Sequence, residues 1–567
     1  MIRIFYIFIL GKFYYPIKFQ LSNRKILLMF HNTITMFYNY YEDYQYDSCV
    51  SKGICSIGPR TSSLQEILVM YLKLLAFFII ELKNLGGHNK DAEKVILDTI
   101  STLMTNLETQ SEQFQKILIS IKTLLCQSKK AYLNICNEKN ITPKSIETNI
   151  KLDEEFDITK LIQQGEKEYN NRLENLSSER KNLFEVMAYI IKSLSINIAN
   201  IKSFSDDEPL EQEGFYKILI LLNSLNYQNT PIKDILEEIQ SGAELDYKLT
   251  MRLDELQSEN YGEPSEVEVS ISTRPGKAIL VAGTSLRELE EVLEYTKDKN
   301  IDVYTHGEMI VAHTYPKFRE YKHLIGHFGV GVENCLLDFA TFPGAILITK
   351  YAVENIEYLY RGRLFTTDSF VPKGAIKIEN NDYSKLIESA FYAKGFKRGK
   401  QKGTIQVGVS KDKLDTELNN FVKNLDKYKH IIIIGPENHN KRNKIYYENI
   451  LNNMPENTFV ISFSYNRNGE NVIFLNERNG FSIIYYILEK LLSIIKNTEI
   501  DISIFISKCD KHTISNLIYL SKQNIKNIFL SKCTPIMLKP SLTKNIADYY
   551  DIKATTQPVD DLKVIVG

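Results

Sequence analysis

The sequence predicts an α plus α/β protein, in which an N-terminal helical bundle precedes two α/β units. Three observations predict it. The chain has 567 residues, too many for one hydrophobic core; at roughly 100–200 residues per domain, about three units are expected. Apolar residues recur at i, i+3 and i+4 from about residue 60 to Leu245. Near Ser272 that period gives way to short apolar runs alternating with amphipathic segments, the grammar of a mostly parallel sheet. The expected organisation is an N-terminal segment over 1–60, a helical bundle over 61–270, a first α/β unit over 271–400 and a second over 401–567.

The segment before residue 60 holds the apolar run Ile2–Leu10, far short of the ~20 residues that span a bilayer. No small-residue cleavage site follows it. Met29 or Met36 is therefore expected to be the functional start; an N-terminal peptide containing Arg3 or Lys12 would refute this. The segment Pro59–Glu66 reads as a helix start. Ser63 and Glu66 have capping-box spacing, with Ser62 and Gln65 as the alternative frame. The helix should stop at Gly86-Gly87. Its stretch Ile67–Ile80 is apolar almost all round, the mark of a helix buried in a bundle. Further helices are expected near 92–107, 110–137, 158–174, 176–203 and 213–225.

In the first α/β unit, strands are expected at Lys277–Gly283, Ile301–Thr305, Ala345–Thr349 and Leu364–Thr367, with a helix over Ser285–Lys297. After the linker Lys394–Gly403, strands are expected at His430–Ile434, Thr458–Phe463, Asn471–Leu475, Ile502–Ile506 and Ile528–Leu530. Helices fall near 442–453, 480–496, 511–523 and 540–549. The segment Gly326-x2-Gly329-x-Gly331 is not a dinucleotide fingerprint, since its spacings are in the wrong order and no strand is expected to lead into it.

Composition excludes some classes of function. Apolar content of 44% and charged content of 25% are those of a globular protein. A formal net charge of −1 favours neither a nucleic acid nor an anionic membrane as partner. The seven cysteines, Cys49, Cys55, Cys126, Cys136, Cys335, Cys509 and Cys533, are odd in number and widely spread, unlike a disulfide framework. The expected compartment is the cytoplasm, where such cysteines are metal ligands, redox thiols or packing residues.

In open parallel sheets, ligands bind beyond the carboxyl ends of the strands. That rule nominates Thr284, Glu308, Lys350–Ala352, Gly435–Glu437, Ser464-Tyr465, Asn476-Glu477, Ser507–Cys509 and Ser531–Cys533. Cys509 and Cys533, one helix apart, are either packing residues at strand ends or a shared metal or redox pair. Cys49-x5-Cys55 lies in a Gly/Ser loop of the kind that presents thiolates to an iron–sulfur cluster. Cys126 and Cys136, ten apart in a helical segment, read as structural. His306, Glu308 and His313 could form a mononuclear metal site, or the histidines could satisfy backbone groups where a strand turns into a helix.

Several runs, in order, resemble the hybrid-cluster proteins, the hydroxylamine reductase or prismane family. They are Gly276–Gly283, Ile301–Met309 with its Thr-His-Gly-Glu-Met, Ala312-His-x-Tyr-Pro316, Tyr321-Lys-His-Leu-x-Gly326, Phe339–Leu347, Arg363–Thr367 and Ile525–Ile528. The resemblance covers roughly residues 60 to 567. It implies a helical domain followed by two Rossmann-like domains, a cubane [4Fe–4S] cluster near the N-terminus, and a hybrid Fe–S–O cluster where the three domains meet. The implied activity is reduction of hydroxylamine or a related small nitrogen species by an electron donor. Cys49 and Cys55 match the last two of four cubane cysteines; the earlier two positions fall in Phe37–Tyr44, which has no cysteine.

Of seven hybrid-cluster ligands, one glutamate is kept as Glu308. The family's histidine is replaced by Thr284, its four cysteines by Ala352, Glu437, Tyr465 and Glu477, and its second glutamate by Cys509. The junction would thus turn from thiolate-rich to oxygen-rich, which suits harder ions than iron–sulfur clusters. Three functions follow as expectations. One is an iron–sulfur oxidoreductase with an altered cluster. Another is a non-catalytic paralogue that acts as scaffold or partner-binding protein. The third is a repurposed metal or small-molecule site built from Glu308, Glu437, Glu477 and Cys509, with Cys533 close by. If the pair Cys49 and Cys55 holds a cubane, outside ligands must complete it, for example the same pair from a second copy in a homodimer.

Overall fold

A computed structural model of the chain describes residues 59–89, 91–103, 111–146, 157–205, 208–329, 335–350, 362–369, 371, 374–436, 441–463, 471–475, 481–508, 510–531 and 540–566. Among the described residues, seven helices come first: Pro59–Asn84, Ala92–Leu103, Ser111–Glu138, Ile158–Asn175, Ser178–Lys202, Pro209–Ser224 and Ile232–Tyr261. Pro59–Asn84 starts on a proline, whose missing N–H costs nothing in a first turn. Ser62, Ser63, Gln65 and Glu66 are therefore buried inside this helix, and the capping-box reading is corrected in both of its frames. Among the described residues this is the helix long and apolar enough to cross a membrane, and it is mostly buried inside the protein. Ser178–Lys202 is capped by Ser177, whose side chain accepts from Arg180 N at 3.3 Å. Ile232–Tyr261 ends at Gly262, at φ 83°, where the left-handed conformation favours glycine.

The next elements form a first parallel sheet. After an edge strand β1 (Val267–Ser270), the chain lays down β2 (Lys277–Ala282), β3 (Ile301–His306), β4 (Leu324–His327), β5 (Ala345–Ile348), β6 (Leu364–Thr366) and β7 (Ile376–Lys377). The sheet order is β4-β3-β2-β5-β6-β7, all neighbours parallel. β8 (Thr404–Val407) returns to pair antiparallel with β1. The second sheet is built from β9 (His430–Ile434), β10 (Thr458–Ser462), β11 (Val472–Phe474), β12 (Asp501–Ile506), β13 (Asn527–Leu530) and β14 (Ile552–Ala554). Its order is β11-β10-β9-β12-β13-β14, again wholly parallel. The strands β2 and β9, each at a central position of its sheet, read as nearly continuous apolar runs because both faces are covered.

A strand does run through Gly326, contrary to the expectation. A side chain there would collide with the Ser270 carbonyl, so this glycine serves the approach of β4 to β1 and not a phosphate. The first sheet has a separate core on each face, one around Ile279, Val281 and Leu289, the other around Leu280, Tyr304 and Phe342. The second sheet differs. Ile431, Ile433, Ile461, Ile502 and Ile504 on one face belong to the same continuous core as Leu68, Leu75, Ile190 and Leu249 of the helices.

Candidate functional site at the strand ends

Each sheet has a switch point where the strand order reverses: between β2 and β5 in the first and between β9 and β12 in the second. Ligand crevices of open parallel sheets form at such points. At the first, the hydroxyl of Thr349 accepts from the backbone N–H groups of Thr284 and Ser285 at 3.2 and 3.4 Å. Ser285 caps the helix Leu286–Thr296 by accepting from Glu288 N. The buried carboxylate of Glu288 accepts from the Thr367 hydroxyl at 2.5 Å and from Lys350 N at 3.4 Å. Burial pushes its carboxyl up to about 7, although these bonds oppose the shift.

At the second switch point, the carbonyl of Pro436 accepts from the N–H groups of Ser507 and Lys508, each at 3.0 Å. This fixes the chain as it leaves β12, and the Lys508 side chain reaches across to the first sheet. Its Nζ lies 2.8 Å from Oε1 of Glu308, in the turn just beyond β3, and 3.1 Å from Oδ2 of Asp510. Burial alone would lower the lysine's pKa, but Glu308 and Asp510 outweigh it and raise the pKa above the usual lysine range. Burial likewise favours a neutral Asp510, yet Lys508, His512 and the Thr513 hydroxyl overcome it and hold that carboxyl below the usual carboxylate range.

The polar chain continues into the helices. Asp510 Oδ1 accepts from the backbone N–H of His512 at 2.9 Å. Ser193 Oγ, from Ser178–Lys202, lies 2.6 Å from His512 Nδ1 and donates its proton to the fully buried Asp246 of Ile232–Tyr261. The Ser193 hydroxyl thus bridges His512 of the second unit and Asp246 of the helical layer. Asn197 Nδ2 donates to the other Asp246 oxygen at 2.9 Å. Charged and polar groups thus run from the first sheet through the second to the helical layer.

The histidines near β3 are occupied by bonds of their own. His306 Nε2 lies 3.1 Å from Asp338. Thr305 Oγ1 lies 3.0 Å from both His313 Nε2 and His327 Nδ1. Burial holds His313 down at about 4. His306 and His313 thus bond to the side chains of Asp338 and Thr305, where backbone partners were expected, and no group of three or more His, Cys, Asp or Glu suited to a metal forms among the described residues.

Of the residues nominated from the sequence, Thr284, Glu308, Lys350, Pro436, Ser507 and Lys508 lie at strand ends as expected. Cys49, Cys55, Ala352, Glu437, Tyr465, Glu477, Cys509 and Cys533 lie outside the described residues. β12 and β13, which lead to Cys509 and Cys533, are adjacent and parallel. Cys136 is buried in the helix Ser111–Glu138, whereas Cys126 in the same helix is exposed. Sequence reasoning missed Asp510, His512, Ser193 and Asp246. The first two had a visible signal, the alternation Lys508-x-Asp510-x-His512 just past an apolar strand.

The model of the Prismane/CO dehydrogenase family matches residues 45–464. The chain belongs to the Prismane/CO dehydrogenase family. Within it the chain is similar to the hydroxylamine reductase of Thermodesulfovibrio yellowstonii, at 25% identity over 541 residues that cover 91% of this chain and 98% of that protein. It is also similar to the hydroxylamine reductase of Actinobacillus succinogenes, at 26% identity over 546 residues covering 91% and 96%. One solved structure it matches is that of the "NiZn[Fe4S4] and NiNi[Fe4S4] clusters in closed and open alpha subunits of acetyl-CoA synthase/carbon monoxide dehydrogenase". That match has 11% identity and a TM-score of 0.44, and covers 92% of this chain and 84% of the other.

Proposed function

We propose that this chain is a Prismane-family protein without a hybrid cluster, and that it does not reduce hydroxylamine by its relatives' chemistry. The observation that carries this reading is the pairing of Glu308 with Lys508 at 2.8 Å. Glu308 is the one hybrid-cluster ligand kept in kind, and its carboxylate faces an ammonium group. Thr284 stands where the family's histidine is expected, with an oxygen donor in place of an imidazole. Bridging iron needs soft thiolates, and this donor set does not fit the cluster. The role proposed is that of a scaffold or regulator. Iron–sulfur binding, if retained, rests on Cys49 and Cys55 and needs the same pair from a second copy, in a reducing compartment such as the cytoplasm.

The test is anaerobic purification followed by iron and sulfide analysis, electron paramagnetic resonance and a hydroxylamine-dependent viologen oxidation assay. The expected result is at most about four irons per two chains, a simple cubane signal and no turnover above the blank. More iron than this with a second signal, accompanied by turnover that Glu308→Gln abolishes, would overturn the reading.

A further inference from the structure

We propose that Lys508 replaces the metal centre electrostatically. Its ammonium would be the internal counter-cation of the junction, joining the first sheet to the second and, through Asp510 and His512, to the helical layer. The inference rests on the proposed absence of a hybrid cluster and adds a specific substitute for it.

A pocket that keeps carboxylates without a bound cation faces an electrostatic problem. Glu308 and Asp510 still present carboxylates to a partly enclosed space, with side chains 29% and 20% exposed. Carboxylates removed from water without a counter-charge are costly. Lys508, 11% exposed, puts one Nζ within ion-pair distance of both. An ammonium group has three N–H donors and no acceptor, so one nitrogen can serve two carboxylates at once. The lysine is not left to wander, because the Pro436 carbonyl holds its backbone N–H at 3.0 Å. Asp510 is fixed independently by Thr513 Oγ1 and His512 N, each donating at 2.9 Å. The cation is therefore held on a prepared support, as a structural metal would be.

Thermal unfolding of the full chain, with Lys508→Met, Glu308→Gln and the double variant, tests the proposal. Met keeps the length of the side chain and removes its charge. Lys508→Met should lower the unfolding midpoint by several degrees, because two carboxylates then lose their counter-ion. Adding Glu308→Gln to it should restore part of that loss. A double variant that unfolds lower than Lys508→Met by the full loss seen in Glu308→Gln alone would overturn the proposal, since independent sites add. A Lys508→Met midpoint equal to that of the wild type would overturn it too. In both cases an iron-poor wild type would leave the reading under Proposed function standing. Iron bound at the junction of the wild type and lost in Glu308→Gln would overturn both.

Discussion

Glu288 is the residue whose chemistry departs most usefully from its exposed counterpart. Its carboxyl sits at about 7 in the folded protein against an ordinary value of 4.5, because burial disfavours the charged form. The folded chain therefore holds a proton that the unfolded chain has lost between those pH values. For this group, stability is fully present below about pH 4.5 and falls as the pH rises through about 7. A shift of this size is equivalent to about 3 kcal/mol. Glu288→Gln keeps an oxygen to accept from Thr367 and Lys350 and cannot ionise. It should match the wild type near about pH 5 and exceed it by up to about 3 kcal/mol near about pH 8. Urea unfolding at the two values checks this; parallel pH dependences would show that Glu288 is not the titrating group. The same scale sets the limit on reading the site from sequence. Glu308 was legible because a short motif and a strand end coincide there. Its partner Lys508 lies 200 positions later and was visible only as a member of a strand-end list, since no periodicity records which strand end faces which.

Elements were legible where burial imposes a simple period. The strand His430–Ile434 was read with its observed bounds, and those at Ile502 and Ile528 to within a residue, because the buried apolar runs Ile431–Ile434, Ile504–Ile506 and Ile528–Leu530 between turns leave few alternatives. The short strands β4, β7 and β14 and the antiparallel pair β1 and β8 were missed. They carry His, Lys, Glu or Gln among few apolar positions, and their pairing depends on distant partners. The 30-residue helix Ile232–Tyr261 also went unread as an element, since its polar face dilutes the apolar stripe. Gly165 shows what sequence periodicity hides within an element that was found. It lies where the helix Ile158–Asn175 crosses Pro59–Asn84, and an added Cβ would strike the carbonyl of Ser63. Backbone cannot give way as a side chain can. Gly165→Ala should therefore destabilise the protein by about 1–3 kcal/mol, despite the higher helix propensity of alanine. Chemical denaturation midpoints measure this, and a stabilised variant would mean the crossing is looser than described.

At the scale of the whole molecule, the sequence suggested three units in series, but the packing is not three cores in series. The first sheet carries its own cores on both faces, whereas one face of the second sheet shares a core with the helices. Aromatic rings mark the joint: Tyr247 stacks on Tyr519 at 4.1 Å and meets Tyr485 edge-on at 4.8 Å. The buried Asp246, one residue before Tyr247, needs Ser193 from its own layer and has His512 close by from the second sheet. A helical fragment made alone would expose the apolar half of this joint and leave His512's hydrogen bond to Ser193 unmade. Residues 61–270 expressed by themselves should therefore be helical by far-ultraviolet circular dichroism, bind the dye ANS and unfold without a sharp transition, as loosely packed states do. Mixing with a separately produced 401–567 fragment should suppress dye binding if the shared core re-forms. A 61–270 fragment that unfolds cooperatively and leaves the dye unbound would instead make the helices self-sufficient, and the shared core a docking of two finished units.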